Sequence, residues 1–448
     1  MIGASALFNA LARVTRVKAD AVSAVARAGG RRAFRFAHDA IHQDLAQETF
    51  DVTVSVLREG RVGIASTGSP TPAALKRCAE TAADIATHAP QPDRLPAWPA
   101  RSKIRSRVDD VRRTSALRPE ACVAAIQHLM RACQGLGVEL AGSLLLGEEE
   151  IAVANSRGTA CYSASTVAGA KLVTLFGALS GFASGVHRDW EQLGLERLLQ
   201  RSLRQSHRTA TLVSPPLGEY EVILEPDAVA DLLEWLGYTA FGAKALEERT
   251  SFLAGRIGER LMDPTLTIYD DGTEMSRLRL PFDFEGMPRQ RVVLVDRGQA
   301  AGVVYDTAYG AKFGRSSTGH AALPGDTEGP LPMHLAIAPG RGSLEGMVRA
   351  CKQGLLIPRF HYVNGLLNPR EAVMTGLTRE GACLIRNGRL AEPVTTLRFT
   401  QSIVEAFRHV LDISRERRLV ADPSSGSGSA LVPAVRLARF AFTGRSGG

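Results

Sequence analysis

Between residues 266 and 399, short apolar runs are separated by turn signals: Asp270-Asp271-Gly272, Asp296-Arg297-Gly298 and Arg386-Asn387-Gly388. No other feature constrains the chain as tightly. The runs (266–269, 291–295, 302–305, 334–338, 382–385 and 395–399) are too short for helices and have the length of strands. Short strands in such number bury their faces only by collecting into a barrel or sandwich. A closing helix over 405–411, a flexible Ser/Gly loop over 423–429 and an alternating strand over 431–442 complete this half.

The first half mixes both periods. Helical spacing predicts a helix over 4–15 and another opened by Thr71-Pro72, and Pro119 opens a third over 119–135. A leucine stripe predicts a fourth helix over 189–207. Residues 21–27 lead through Gly29-Gly30 into 33–36 as a hairpin, and 50–57 turns at 58–60 into 61–67 as a second. Further strands are predicted over 138–146, 151–155, 161–167 and 171–178. A chain of 448 residues exceeds one ordinary core, and the proline-rich stretch 211–218 is a natural boundary. The expected fold class is α+β: a mixed α/β N-terminal domain (1–215) followed by a β-rich, barrel-like C-terminal domain (216–448).

That second domain opens with YEVILEPDAVADLLEWLGYTAFGAKALEERTSFLAGRIGERL (220–261), read as a strand over 220–224, a helix start at Pro226 and one long amphipathic helix. Gly255-Arg256-Ile257-Gly258 within it reads as a close-packing device rather than a phosphate cradle.

Composition narrows the function classes. The net charge is +8, but the basic run 101–113 is interrupted by Asp109 and Asp110 and lacks interleaved aromatics, so it reads as a solvated surface rather than a nucleic-acid site. Six scattered cysteines without a CxxC pair suit reduced, buried thiols. No apolar run approaches the roughly 20 residues that span a bilayer. The first 32 residues are acid-poor, like a transit peptide, but Asp20 and the strands after it argue against removal, and the expected location is the cytoplasm.

Candidate chemistry is sparse. There is no GxSxG elbow and no P-loop. His38 and His42 have the i, i+4 spacing that places two imidazoles on one helix face, although strands flank them and no third ligand is evident. His361 is a lone histidine on a C-terminal loop that could approach a groove; such residues are commonly structural.

Several segments together carry a resemblance. They are DVTVSVLREGRVGIAST, IAVANSRGT and GEYEVILEP in the first half and at the junction, then SFLAGRIGERL, TIYDDG, PFDFEGMPRQRVVLVDRGQAAGVVYDTAYGAKFGRSSTGHA and VNGLLNPREAVMTGLTREGACLIRNGRLAEPV. In this order and spacing the chain resembles the TldD/PmbA family of zinc-dependent peptidase subunits, and within it the PmbA (TldE) branch. The resemblance implies the two-domain arrangement above and assembly with a TldD-type catalytic subunit, or as a homodimer, around unfolded peptides such as peptide-antibiotic precursors.

It also implies where zinc would sit. The catalytic branch binds it through HExxxH and a distant C-terminal cysteine. Aligned here, Leu233 takes the first histidine position, Glu234 the glutamate and Tyr238 the second histidine, and no cysteine follows Cys383. Leucine has no lone pair, and tyrosine ionises only near pH 10. The expectation is a non-catalytic subunit with no metal and no catalytic residue of its own, the zinc lying in the partner. Glu234 is either a solvent-facing helix glutamate or, with Tyr238 and His361, part of a substrate-binding groove. Two other functions stay open: an independent metalloenzyme tailoring ribosomal peptides through His38 and His42, and a basic regulatory or nucleic-acid-binding protein.

Overall fold

The computed structural model describes residues 1–101, 104, 107–207, 209–274, 278, 280–422 and 428–445. Part of the basic run 101–113 and of the loop 423–429 therefore lies outside the described residues.

Helix α1 (Ala4–Val14) precedes strands β1 (Ala21–Ala37), β2 (Ala40–Arg58) and β3 (Arg61–Thr67). Helix α2 (Pro72–His88), whose first turn is capped by the Thr71 hydroxyl accepting from the Ala74 N–H, leads to β4 (Arg107–Asp109), α3 (Arg112–Ser115) and α4 (Pro119–Gln134). Strands β5 (Glu139–Asn155), β6 (Ala160–Phe176) and β7 (Leu179–His187) and helix α5 (Leu195–Ser206) follow. The strands form one sheet in the order β3-β2-β1-β5-β6-β4, with β7 on β6. Helices α1 and α2 bury Leu7, Leu11, Leu75 and Ala82 with Val22, Val52 and Val54 of the sheet. Helices α4 and α5 pack with Phe34, Leu144 and Leu172.

This sheet corrects three expectations, one being that 161–167 and 171–178 are separate strands: they lie in, or run out of, the single strand β6. Residues 21–36 are not a hairpin: β1 runs straight through Gly29 and Gly30, pairing Gly29 with Thr49 and Glu149. The glycine allows close approach rather than a turn, since a Cβ on Gly29 would lie 2.4 Å from the Glu148 carbonyl oxygen. The turn falls instead at His38-Asp39, both with positive φ (47° and 57°), joining two very long strands. Nor does the chain break at Glu148-Glu149-Glu150. Glu150 stays in β5, fully buried, because it accepts the Ile2 and Gly3 N–H groups (2.5 and 2.7 Å) and the Tyr162 hydroxyl (2.6 Å).

The second half begins with β8 (Gly218–Leu224) and α6 (Pro226–Ala240). Short strands β9 (Ile268–Asp270), β10 (Val292–Asp296), β11 (Gln299–Ala300), β12 (His334–Ile337), β13 (Gln353–Ile357) and β14 (Phe360–Asn368) follow. The last are β15 (Val373–Thr378), β16 (Cys383–Arg386), β17 (Arg389–Pro393), β18 (Leu397–Ser402), β19 (Val410–Val420) and β20 (Ser429–Arg445). They form a second sheet, β11-β10-β9-β12-β20-β8-β13-β16-β17, with β19 and the branch β18-β15-β14 joined at β20. The fold is α+β as expected, but this sheet is open, ending at β11 and β17, and so is not a closed barrel.

Three local expectations change. The long helix ends at Ala240, and 251–261 is a series of turns in which Gly255 and Gly258 take positive φ. Residues 302–305 make only an isolated bridge, Val304 to Gly242. The predicted helix over 405–411 is a single turn, Ile403–Ala406, with a 3₁₀ turn before β19. The two halves touch through Val25, Val153 and Cys161 packed on Phe282 and Phe284. All six cysteines are buried and unbridged. Among the described residues no helix is long and apolar enough to cross a membrane.

A groove between the two sheets

Helix α6 starts at Pro226, whose missing N–H costs nothing in a first turn, and its two faces differ sharply. Leu232, Leu233 and Leu236 are fully buried in the cluster holding Val222 and Leu224 of β8 and Val435 and Leu437 of β20. Asp227, Asp231, Glu234 and Tyr238, spaced four, three and four residues apart, form a stripe along the other face. All four line a groove of about 1160 Å³. Arg27 of β1, Glu149 of β5, and Ser163 and Ser165 of β6 line it too, so both halves of the chain build it. Leu280, Phe284, Leu323, Leu331 and Leu335 supply apolar wall.

Asp227 sits where the halves meet. Its carboxylate accepts from the Arg418 guanidinium and, at 2.5 Å, from the Ser184 hydroxyl, with Arg201 3.7 Å away. Burial pushes this carboxyl up, but Arg418, Arg201 and Ser184 outweigh it and leave it below the ordinary range. One turn on, Asp231 has only the weaker pull of Arg359 against burial. Burial, and then Asp227, push it up to about 8, although it accepts the Phe360 N–H at 3.1 Å. Two carboxylates one turn apart are thus held in opposite protonation states near neutral pH.

A side chamber of about 260 Å³ opens beside the groove, sharing Asp231, Glu234, Trp235, Arg359 and Phe360 with it and adding His361 and Tyr362. The structure therefore brings Glu234, Tyr238 and His361 to one region: Glu234 lines both spaces, exposed Tyr238 the groove, and half-buried His361 the chamber. Burial, then Arg359 and Arg379, lower the His361 pKa and favour the neutral ring.

The donor set at the HExxxH position does not fit zinc. Leu233 points into the core, and burial with Glu328 raises the Tyr238 phenol further from ionisation. Among the described residues no three His, Cys, Asp or Glu side chains gather as a metal site. His38 and His42 lie on a strand hairpin rather than a helix, their rings 6.4 Å apart, each already engaged: His38 with Glu139 at 2.8 Å and His42 with the Ala37 carbonyl at 2.8 Å.

Sequence reasoning missed Asp227, Asp231 and Arg418. The acidic stripe on an otherwise apolar helix was a readable signal for the first two. Nothing in the sequence brings Arg418, 191 residues away, to Asp227.

Comparison with known proteins agrees with this architecture. A crystal structure of TldE from Thermococcus kodakarensis has the same fold, with a TM-score of 0.86 at 20% identity, covering 98% of this chain and 99% of that one. A protein named Metalloprotease TldD homolog from Haemophilus influenzae is 28% identical over 224 residues, 49% of this chain and 46% of the relative. One named Metalloprotease from Methanothermobacter thermautotrophicus is 24% identical over 249 residues, 54% and 53% respectively. These matches span about half the length of the curated relatives. The PmbA/TldA metallopeptidase domain 1 matches residues 32–86 and the PmbA/TldA metallopeptidase C-terminal domain matches residues 217–444, more than half of the chain, which therefore belongs to the TldD/PmbA metallopeptidase family.

Proposed function

We propose that this chain is a TldE-like, non-catalytic subunit, a pseudoenzyme, that completes a cytoplasmic TldD-type zinc metallopeptidase processing or degrading unfolded peptides. The observation that carries this reading is Leu233. At the position where a catalytic relative presents a histidine, it packs fully buried in the core, while the polar stripe on the other face of α6 lines a large groove. Zinc would be held by the partner, a TldD-type chain; a homodimer of this chain would not supply it. Glu234, Tyr238 and His361 would contact substrate rather than metal. An open groove faced by strands on one side and a helix on the other suits an extended chain of varied sequence.

The test is reconstitution. The purified chain should carry far less than one zinc after dialysis and cleave no peptide. Mixing with a homologue bearing HExxxH and a C-terminal cysteine should give a complex with activity above that of the homologue alone. Stoichiometric zinc together with unaided hydrolysis would reject the proposal.

A further inference from the structure

We infer that the free edge of β2, over residues 43–49, is where the main chain of an extended peptide pairs as an added strand along the rim of the groove. This deepens, and rests on, the reading of the groove as a peptide site.

Register is the first observation. β2 pairs with β1 along its length, but its other neighbour, β3, ends at Thr67, opposite Val52. Gly68 then passes the Phe50 carbonyl oxygen, where an added Cβ would lie 3.4 Å from it, and the chain leaves into α2. Among the described residues no strand pairs with the outer side of 43–49. All of these residues are exposed. They offer roughly 20 Å of strand whose outward N–H and C=O groups have no ladder partner.

The second is that nothing blunts this edge. Sheet edges are ordinarily protected by proline, lysine, bulges or short length. The second sheet follows that rule. β11 is two residues long, β17 carries Arg389, Glu392 and Pro393, and β14 has two register shifts and a positive φ (50°) at Tyr362. Residues 43–49 contain no proline and no lysine, and their pairing with β1 is unbroken from Gln43 opposite Arg35 to Thr49 opposite Gly29. The one bulge lies past the end of this stretch, between Arg35 and Phe36.

Position and chemistry identify the occupant. Gln47 and Thr49 line the groove, and the two-residue period of a strand puts Gln43 and Leu45 on the same face. Asp44 and Glu48 stand on the other face, Asp44 held by Arg32 at 2.5 Å. A strand added here would send every second side chain over the groove, beside uncharged neighbours on β2. Leu45, 48% exposed, is the sole large apolar side chain of the seven. That is too little for the apolar core of a stable subunit interface, whereas main-chain pairing holds a peptide with few demands on its sequence.

The experiment uses a fluorescein-labelled decapeptide of alternating threonine and serine, and the same peptide N-methylated at every residue. Each is added to the full chain and to its complex with a TldD-type homologue. At saturating peptide, about half of the amides over 43–49, those facing outward, should exchange hydrogen at least tenfold more slowly, read by mass spectrometry. The N-methylated peptide has no main-chain donor and should bind at least tenfold more weakly. Peptide binding without protection over 43–49, or equal binding of the N-methylated peptide, overturns this inference and leaves the peptide-groove reading standing. No binding of either peptide, free or in complex, overturns both. Protection that the homologue produces without peptide makes the edge a subunit interface, and protection in the isolated chain that rises with its concentration makes it a contact between copies. Either result overturns the inference.

Discussion

The guanidinium of Arg418, on β19, donates to the carboxylate of Asp227, in the first turn of α6, beside the Ser184 hydroxyl. Ser184 and Arg201 come from the first half of the chain, Asp227 and Arg418 from the second, and both arginines also donate to the Ser184 carbonyl (3.1 and 3.3 Å). The base of the groove helix is thereby fixed to the first sheet through one buried charged cluster.

Removing one partner leaves the other buried and uncompensated. Arg418→Ala should destabilise the chain by about 3 kcal/mol, the lower end of the range for broken buried pairs, because Arg201 remains near Asp227. Urea denaturation measures this. A loss below about 0.5 kcal/mol, the size of an ordinary surface effect, would show that the pair contributes little.

Asp231 makes stability fall with pH. Its folded pKa is raised to about 8, against an ordinary carboxylate value near 4 in the unfolded chain. Between these values the folded state holds more protons, so the contribution of this group to stability is lost as pH rises from about 4 to about 8. Asp231→Asn should flatten that part of the stability profile and leave the variant more stable than wild type at pH 8. Melting curves at half-unit pH intervals compare the two slopes. Parallel profiles would show that Asp231 titrates normally.

Gly365 is fixed by its neighbour. A methyl group there would lie 2.9 Å from Trp235, with the indole packed between β14 and α6. Gly365→Ala should cost about 1–3 kcal/mol as an overpacking change. It should also weaken peptide binding by displacing the ring from the groove wall. Unchanged stability and affinity would mean that β14 moves away freely.

His38 and His42 should be dispensable. Both stand on an exposed hairpin, paired with Glu139 and with a backbone carbonyl, and no third donor gathers near them among the described residues. The double variant His38→Ala/His42→Ala should change stability by less than about 0.5 kcal/mol and leave the activity of the reconstituted complex intact. Lost activity at unchanged stability would favour the relocated-metal alternative.

Much of this protein can be read directly from local pattern. The β3 strand Arg61–Thr67, the helix starts at Pro72, Pro119 and Pro226, and the alternation of β20 follow from periodicity and proline placement, which act over a few residues. The composition of residues 233–238 likewise shows locally that the position aligned with the first histidine offers no ligand, because leucine cannot bind a metal in any fold. Other features depend on partners far along the chain. Gly29-Gly30 reads as a turn until β5 is seen pressing against it, and three consecutive glutamates read as a loop until Tyr162 and the backbone of Ile2 and Gly3 satisfy Glu150. The groove belongs to this second class: α6 carries its acidic stripe in the sequence, but the opposing wall, the side chamber and the arginine that holds Asp227 arise only when two sheets distant in sequence meet. Local sequence sets which face of a helix is polar. Burial and charge compensation, which depend on everything packed around that face, decide that Asp227 is ionised while Asp231, one turn away, keeps its proton.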